Sequence, residues 1–303
     1  MPKTKTEAQL KALIKEQIRF NSGKNLLAGE EVNSLKMIEL TESLVETIRT
    51  LDADTEKRMI DYLTDESLQE FCRVNQYFSF DTKAVNALKD IYAQLNDNIR
   101  AMSVSRGETL QELSQQHYAR LCDWLVQTNA FAGKMYDDSR ETVQPVACSE
   151  YAPDLQLRLL HIDLESLQEP ILDVGCGREL NLVNYLRDNG FEAYGIDRFE
   201  NNNPFYTKTD WLEYDYQPNF WGTVISNLGF SNHFVHHNLR VDGNFKVYAQ
   251  KYMEILASLK TGGSFYYAPN LSFIEKHLDK NKFQYSGFRV EGSEFAASRV
   301  VKL

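Results

Sequence analysis

The chain has 303 residues, a length that predicts two globular domains, each large enough to bury its own core. It carries 33 Lys and Arg residues against 43 Asp and Glu residues, a net charge of −10, and both halves are acidic. This balance, without a basic stripe, argues against nucleic acid or an anionic membrane as partner, because both are bound through clustered positive charge. The N-terminus lacks the apolar core of a signal peptide and the apolar runs are too short to span a bilayer, so we expect a cytoplasmic protein.

Four cysteines are spread along the chain, at Cys72, Cys122, Cys148 and Cys176. They form no Cys-x-x-Cys pair and have no His-rich neighbourhood of the kind that binds zinc. The sequence therefore predicts reduced thiols and no metal site.

Residues 5 to about 132 have the apolar spacing of amphipathic helices, with apolar side chains three and four positions apart, as at Leu10, Leu13, Ile14 and Ile18. Polar and glycine-containing segments at 21–23, 51–54, 79–81 and 105–107 predict the breaks between helices. The pattern predicts about five helices that form a bundle or cap, without strands.

The segment from Tyr136 to Pro153 is rich in Asp, Ser, Thr and Pro, as expected of a crossing between domains. We place the boundary near residue 145, which gives an all-α domain at 1–145 and a second domain at 146–303. A helix near 154–162 is predicted to open the second domain.

After Pro170 short apolar runs alternate with amphipathic helices. The predicted strands, in chain order, are ILDVG, AYGID, FYTKT, TVISNL, SFYYAP, FQYSGFRV and SRVVKL. Strand and helix alternation predicts an α/β domain with a mostly parallel seven-stranded sheet and helices on both faces, because parallel strands need crossover connections. The last two strands, joined by a short polar link, predict a C-terminal antiparallel hairpin.

The segment from Glu169 to Gly177, EPILDVGCG, is a buried strand that leads directly into a glycine turn and a helix. Glycines allow close approach of a ligand to the backbone, and a helix start offers free N–H groups. Twenty residues later the second strand ends at Asp197, whose carboxylate can accept both hydroxyls of a ribose. Together these features predict a nucleotide-like ligand.

In these segments, and in the Asp210 region, TVISNLGFSNH and LKTGGSF, the sequence resembles the class I S-adenosylmethionine (SAM)-dependent methyltransferases over about residues 150–303. The N-terminal helical half is not part of the resemblance. The resemblance implies a Rossmann-like fold, SAM as cofactor and methyl transfer as activity. By the same resemblance the cofactor would contact Tyr151, Asp173, Gly175, Gly177, Asp197, Arg198, Asp210, Trp211, Asn227 and Leu228.

Some positions differ from the family pattern or allow another role. Glu179 stands where a third glycine is usual, and the segment from Asp197 to Phe205 is too short for the usual second helix. Tyr151 could instead pack in the core, and Asp210 could cap a turn. A nicotinamide dinucleotide is the rival cofactor, but Leu180 occupies the position where its phosphate-binding turn needs Gly or Ala.

The acceptor is expected beyond the fourth and fifth strands, where the sequence reads Ser231-Asn-His-Phe-Val-His-His237. We expect a long loop here and take His233 as the candidate proton acceptor or substrate ligand, with His236 and His237 behind it. A loop or lid without proton chemistry is the alternative. Asn227 to Phe230 has the spacing of the Asn-Pro-Pro-Tyr motif of nucleic-acid methyltransferases, but it lacks both prolines.

The sequence therefore favours a methyltransferase that acts on O or N of a small-molecule acceptor by in-line transfer. In this hypothesis the helical half covers the active site or forms a homodimer contact. The alternative is a noncatalytic protein with the SAM-binding fold, whose helical half binds a protein partner. A large exposed apolar face on the helices would favour the alternative.

Overall fold

A computed structural model describes residues 5–29, 31–38, 42–101, 110–136, 139–146, 151–290 and 295–303. The chain divides into two compact units, Met1–Cys148 and Ser149–Leu303. Among the residues just given, no helix is long and apolar enough to cross a membrane. The predicted break at 105–107 lies outside the described residues.

The first unit is helical wherever the structure describes regular elements. Its helices are α1 (Glu7–Asn21), α2 (Glu42–Arg49), α3 (Ala53–Val74), α4 (Thr82–Ala101), α5 (Leu110–Thr128) and α6 (Ala132–Met135). Thr6 opens α1 with a capping box that includes Gln9, and the Asp52 carboxylate caps α3 at Thr55 N. The helices pack through an aliphatic cluster of Leu10, Leu44, Val45, Ile48, Met59, Ile99 and Leu113.

Between α1 and α2 the structure differs from the prediction of nearly continuous helix. The described residues 22–29 and 31–38 form turns and irregular backbone. Asparagine side chains explain the difference: Asn25 Oδ1 accepts from Leu27 N, and Asn33 Oδ1 accepts from Leu35 N. Such local bonds compete with helical hydrogen bonds, so apolar spacing alone overestimates the helix here.

The second unit alternates strands and helices. Its elements are α7 (Pro153–Leu159), a 3₁₀ turn (Leu164–Ser166), β1 (Ile171–Val174), α8 (Asn181–Asp188), β2 (Ala193–Asp197), β3 (Tyr206–Lys208), β4 (Trp221–Asn227), α9 (Phe230–Leu239), α10 (Phe245–Ser258), β5 (Leu259–Ala268), α11 (Ser272–Glu275), β6 (Phe283–Arg289) and β7 (Ala296–Lys302).

In the described part of this unit, seven strands form one sheet in the order β3-β2-β1-β4-β5-β7-β6. The first five strands in that order pair in parallel, whereas β7 pairs antiparallel to both β5 and β6. The predicted α/β fold, with its mostly parallel seven-stranded sheet and C-terminal antiparallel pair, is confirmed. Parallel pairing brings the carboxyl ends of β1, β2, β4 and β5 to one edge of the sheet.

Both faces of the sheet are buried. Leu172 and Val174 belong to a cluster that includes Val224 and Phe265 on one face, and Ile171 packs with Ile225 and others on the opposite face. Successive side chains of a strand point to opposite faces, so this division follows from the strand period of two. Continuous apolar runs were the sequence signal for such doubly covered strands.

The segment Ser231–His237 is not the long loop that the sequence predicted, because it lies within helix α9. Phe230 and Phe234, one helical turn apart, are both fully buried in the sheet core. This i, i+4 pair holds the segment as a helix although its Ser, Asn and His content is typical of a loop.

Candidate ligand site at the carboxyl edge of the sheet

A glycine turn connects β1 to α8. Gly175 and Gly177 have φ angles of 80° and 76°, in the left-handed region that favours glycine. Gly175 N donates to Ile196 O at 2.9 Å, which ties the turn to β2. A Cβ atom at Gly175 would lie 3.1 Å from Cζ3 of Trp211, so glycine is needed both for the turn and for this contact.

Asp197, the last residue of β2, faces this turn. One carboxylate oxygen accepts from Gly177 N at 2.9 Å, and the other accepts from Arg198 N at 2.7 Å. The side chain is buried. Two backbone donors thus fix the orientation of the carboxylate, whose oxygens are acceptors of the kind that a ligand hydroxyl needs.

Asp173, on β1, is 2% exposed. Its Oδ2 atom has no hydrogen-bond partner among the described residues. Burial, and secondarily the nearby Asp197, raise the pKa of Asp173 to about 8. A buried carboxyl oxygen without a partner is costly, and a cation that hydrogen-bonds to it would remove that cost.

Trp211 lies between the glycine turn and helix α9. Besides its contact with Gly175, its ring packs edge-on against that of His233, with centroids 4.8 Å apart. Asp210 stabilises the turn that contains Trp211, because Asp210 Oδ1 accepts a hydrogen bond from Leu212 N at 2.8 Å. This is the turn-capping arrangement that the sequence left open for Asp210, and it leaves a role beside a ligand untested.

The end of β4 contributes further polar atoms. Asn227 Oδ1 is buried and has no hydrogen-bond partner among the described residues. Leu228 has a φ of 54°, and its N–H donates to Ala268 O at the end of β5. Asn227 therefore presents an unused acceptor at the same edge as Asp173 and Asp197.

Two serines that the sequence analysis did not single out hold this edge together. Ser226 Oγ donates to Val174 O at 2.8 Å and accepts from Phe230 N at 3.1 Å, while Ser231 Oγ donates to Ala268 O. Ser226 thereby connects β1, β4 and the start of α9. Its sequence signal is a hydroxyl residue directly after the apolar pair Val224 and Ile225, at the end of a predicted buried strand.

The three histidines of α9 have different surroundings. His233 is 3% exposed and contacts Trp211. Burial, followed by Arg240, lowers the pKa of His236 to about 4, and burial, followed by His236, lowers that of His237 to about 4. His237 Nδ1 accepts from Asn244 N at 3.0 Å, so this ring fixes the connection between α9 and α10. His233 thus contacts Trp211, which itself lies against Gly175 of the glycine turn.

The remaining predicted contact, Tyr151, lies just before α7. Its carbonyl accepts from Asn181 Nδ2 at 3.5 Å, at the first residue of α8. Among the described residues no cluster of His, Cys, Asp and Glu could hold a metal ion. The edge thus combines a glycine turn, two buried carboxyl groups, an unpaired amide oxygen, an indole and an imidazole.

Comparison with solved structures returns methyltransferases. A proposed SAM-dependent methyltransferase from Listeria monocytogenes is 16% identical, covers 50% of this chain and 96% of its own, and gives a TM-score of 0.36. An rRNA methylase from Streptococcus thermophilus is 16% identical over 52% of this chain and 99% of its own, with a TM-score of 0.34. The 1,6-didemethyltoxoflavin N1-methyltransferase of Burkholderia thailandensis is 15% identical over 44% and 70%, with a TM-score of 0.32.

No protein-family model matches the sequence. No curated protein matches it either. The first two of these structures each match about half of this chain.

Proposed function

We propose that the second unit binds SAM and transfers its methyl group to an oxygen or nitrogen atom of a small-molecule acceptor. The observation that carries the proposal is the unpartnered, buried Oδ2 of Asp173 beside the glycine turn. The methionine part of SAM carries an ammonium group, which is the kind of cationic donor that this oxygen lacks.

The neighbouring residues suit the rest of the same ligand. The backbone of Gly175 and Gly177 would contact the methionine part, and Asp197 would accept the ribose hydroxyls. Asp210 and Trp211 would border the bound nucleoside, and Asn227 and Leu228 would form the floor under the acceptor. Tyr151 and Arg198 are proposed as outer contacts of the cofactor.

A nicotinamide dinucleotide fits these residues less well. Its pyrophosphate would have to lie at the glycine turn, where the side chains of Asp173 and Asp197 are both buried. Placing phosphates beside the Asp197 carboxylate brings like charges together in a region of low polarity, and the Asp173 oxygen would gain no cationic donor from them. The two carboxyl groups therefore favour a ligand that is cationic at this end.

When bound, SAM supplies an electrophilic methyl group on a sulfonium sulfur. The chain's own contribution is to align an acceptor and to receive its proton where an O–H or N–H is methylated. We propose His233 for the second task, because its imidazole lies against Trp211 in the same part of the site. Asn227 Oδ1 would orient the acceptor by accepting a hydrogen bond.

Isothermal titration of the full chain with SAM and with its demethylated product, S-adenosylhomocysteine, tests the cofactor. Both should bind, and Asp197→Ala and Asp173→Asn should each weaken binding by at least tenfold. Asp188→Asn, at an exposed carboxylate that ends α8, is the matched control and should bind as the parent does. Absence of SAM binding, or preferential binding of NAD, would refute the proposal.

His233→Gln separates binding from transfer. If His233 receives the proton, this variant should bind SAM with unchanged affinity and lose roughly 10²- to 10⁴-fold in transfer rate to a hydroxyl or amine acceptor found by screening. His277→Gln, at an exposed histidine outside the site, is the control. Equal loss of cofactor binding would show that His233 only supports the fold around Trp211.

A further inference from the structure

The helical first unit contains a cavity of about 270 Å³. Its described lining comes mainly from α1, α3, α4 and α5 and includes Leu13, Ile14, Leu63, Leu95 and Leu121. Protein interiors are normally packed as densely as organic crystals, with few voids larger than a water molecule. A smaller apolar cavity, of about 150 Å³ and lined by Leu, Ile and Phe, stays dry and binds benzene. The size and lining here are thus those of a binding site for an apolar molecule.

His117 is one of the polar side chains in this mainly apolar lining. It lies on α5 and is 6% exposed. Burial, followed by the nearby Arg120, lowers its pKa to about 4, so the imidazole is neutral near pH 7 and has one donor and one acceptor nitrogen. Its ring contacts Tyr92 and Tyr118, and no described residue forms a hydrogen bond with its nitrogens.

Other polar groups of the lining already have partners. The hydroxyl of Tyr118 accepts from Gln17 and Asn21 and donates to the Lys36 carbonyl. The hydroxyl of Tyr92 donates to Ser67 Oγ at 2.7 Å. These groups therefore offer a ligand little hydrogen bonding, in contrast to His117.

The charged side chains of the lining are also engaged. Glu70 forms an ion pair with Arg73 at 2.6 Å. Lys24 Nζ donates to Asn21 Oδ1 and to the Ser34 carbonyl. Lys24 Nζ also lies over the ring of Phe20. A cationic ligand would find Glu70 already paired, and an anionic ligand would have to draw the Lys24 ammonium away from these contacts, so the lining disfavours both charges.

We propose that this cavity binds an uncharged, mainly apolar small molecule, about the size of two fused aromatic rings, whose single hydroxyl group forms a hydrogen bond with His117. The site is independent of the methyl-transfer proposal. Its ligand is defined by three properties: apolar surface, absence of charge and one hydrogen-bonding group.

Three probes that share the naphthalene ring system test these properties on the full chain: naphthalene, 1-naphthol and 1-naphthoate. Their binding is measured by fluorescence or calorimetric titration near pH 7. Naphthalene and 1-naphthol should bind at one site, and 1-naphthol should bind about twofold to tenfold more tightly, the range of one neutral hydrogen bond. The anionic 1-naphthoate should bind at least tenfold more weakly than 1-naphthol.

Variants assign the binding to this cavity. Leu13→Trp and Leu63→Trp, on opposing helices, should each fill the cavity and weaken both neutral probes at least tenfold. Leu155→Trp, at a 39% exposed position of the second unit, is the matched control and should bind as the parent does. His117→Phe should remove only the preference for 1-naphthol over naphthalene, whereas His277→Phe should leave it unchanged.

The possible outcomes are distinguishable. No binding of either neutral probe, or binding that both Trp variants leave intact, refutes the cavity site. Equal or tighter binding of 1-naphthoate refutes the uncharged ligand class. Retention of the hydroxyl preference in His117→Phe refutes the role of His117. Far-UV circular dichroism and thermal unfolding of each variant establish that a loss of binding does not come from a loss of fold.

Discussion

Replacing Asp173 by Asn should stabilise the ligand-free second unit relative to the parent, and this advantage should grow as the pH rises. The same change should weaken cofactor binding. The reason is the environment of the carboxyl group, which is buried beside Asp197 and has an oxygen without a partner. In the unfolded chain this group ionises at its ordinary value of 3.8, whereas in the folded chain its pKa is about 8. The folded protein therefore holds a proton that the unfolded chain releases.

The sign and size of the effect follow from this difference. Below pH 3.8 both states are protonated, and the group costs the fold nothing through ionisation. Between pH 3.8 and 8 the unfolded state binds fewer protons, so the parent loses about 1.4 kcal/mol of stability per pH unit. From pH 5 to pH 8 the loss amounts to about 4 kcal/mol, which Asp173→Asn should remove.

Urea unfolding of the parent and of Asp173→Asn at several pH values between 5 and 8 measures the effect. Trp211 and Trp221 lie in the second unit and Trp124 lies in the first, so both proteins carry Trp124→Phe and tryptophan fluorescence then follows the transition of the second unit. The stability difference between the two proteins should change in favour of the variant as the pH rises. A difference that stays constant across this range would refute the raised pKa.

Three further predictions concern the same edge of the sheet. If a cationic ligand group pairs with Asp173, SAM binding at pH 7 should release a proton, because the raised pKa leaves this carboxyl group protonated before binding. Calorimetry in buffers of different ionisation enthalpy measures the release, and its absence would contradict the pairing. Gly175→Ala should destabilise the chain by about 1–3 kcal/mol more than Gly190→Ala. Both glycines have positive φ, but of the two only Gly175 has an indole within 4 Å of the added Cβ atom. Equal losses of stability in thermal unfolding would contradict this. Ser226→Ala should lower the free energy of unfolding in urea by about 1–3 kcal/mol, because the Val174 carbonyl and the Phe230 N–H each lose a hydrogen-bond partner. An unchanged stability would contradict the role of Ser226 in connecting β1, β4 and α9.

Apolar patterning predicted the centre of the sheet well because β1, β2 and β4 are short, mostly apolar runs between polar turns. It also indicated which residues end β1 and β2, so the presence of Asp173 and Asp197 at one edge could be expected from the chain order. The ends of parallel strands meet at that edge whatever the details of packing. This part of the site depends on topology, which the alternation of strand and helix specifies.

Features that depend on packing could not be predicted from the sequence. The unpartnered oxygen of Asp173 and its raised pKa come from complete burial, which no local pattern encodes. Helix α9 was misinterpreted as a loop because two buried phenylalanines outweigh the turn-forming residues between them. The contact of Trp211 with Gly175 joins distant segments, and the glycine spacing alone gives no sign of it.

The position of β7 in the sheet has a consequence for synthesis on the ribosome. Although β7 follows the other six strands in the chain, it lies between β5 and β6. A nascent chain that has not yet reached Ala296 therefore leaves the hydrogen-bonding edges of both partners uncovered, and such edges readily pair with other chains. The interval before β7 emerges is thus the period in which these strand edges of the second unit are most exposed to aggregation.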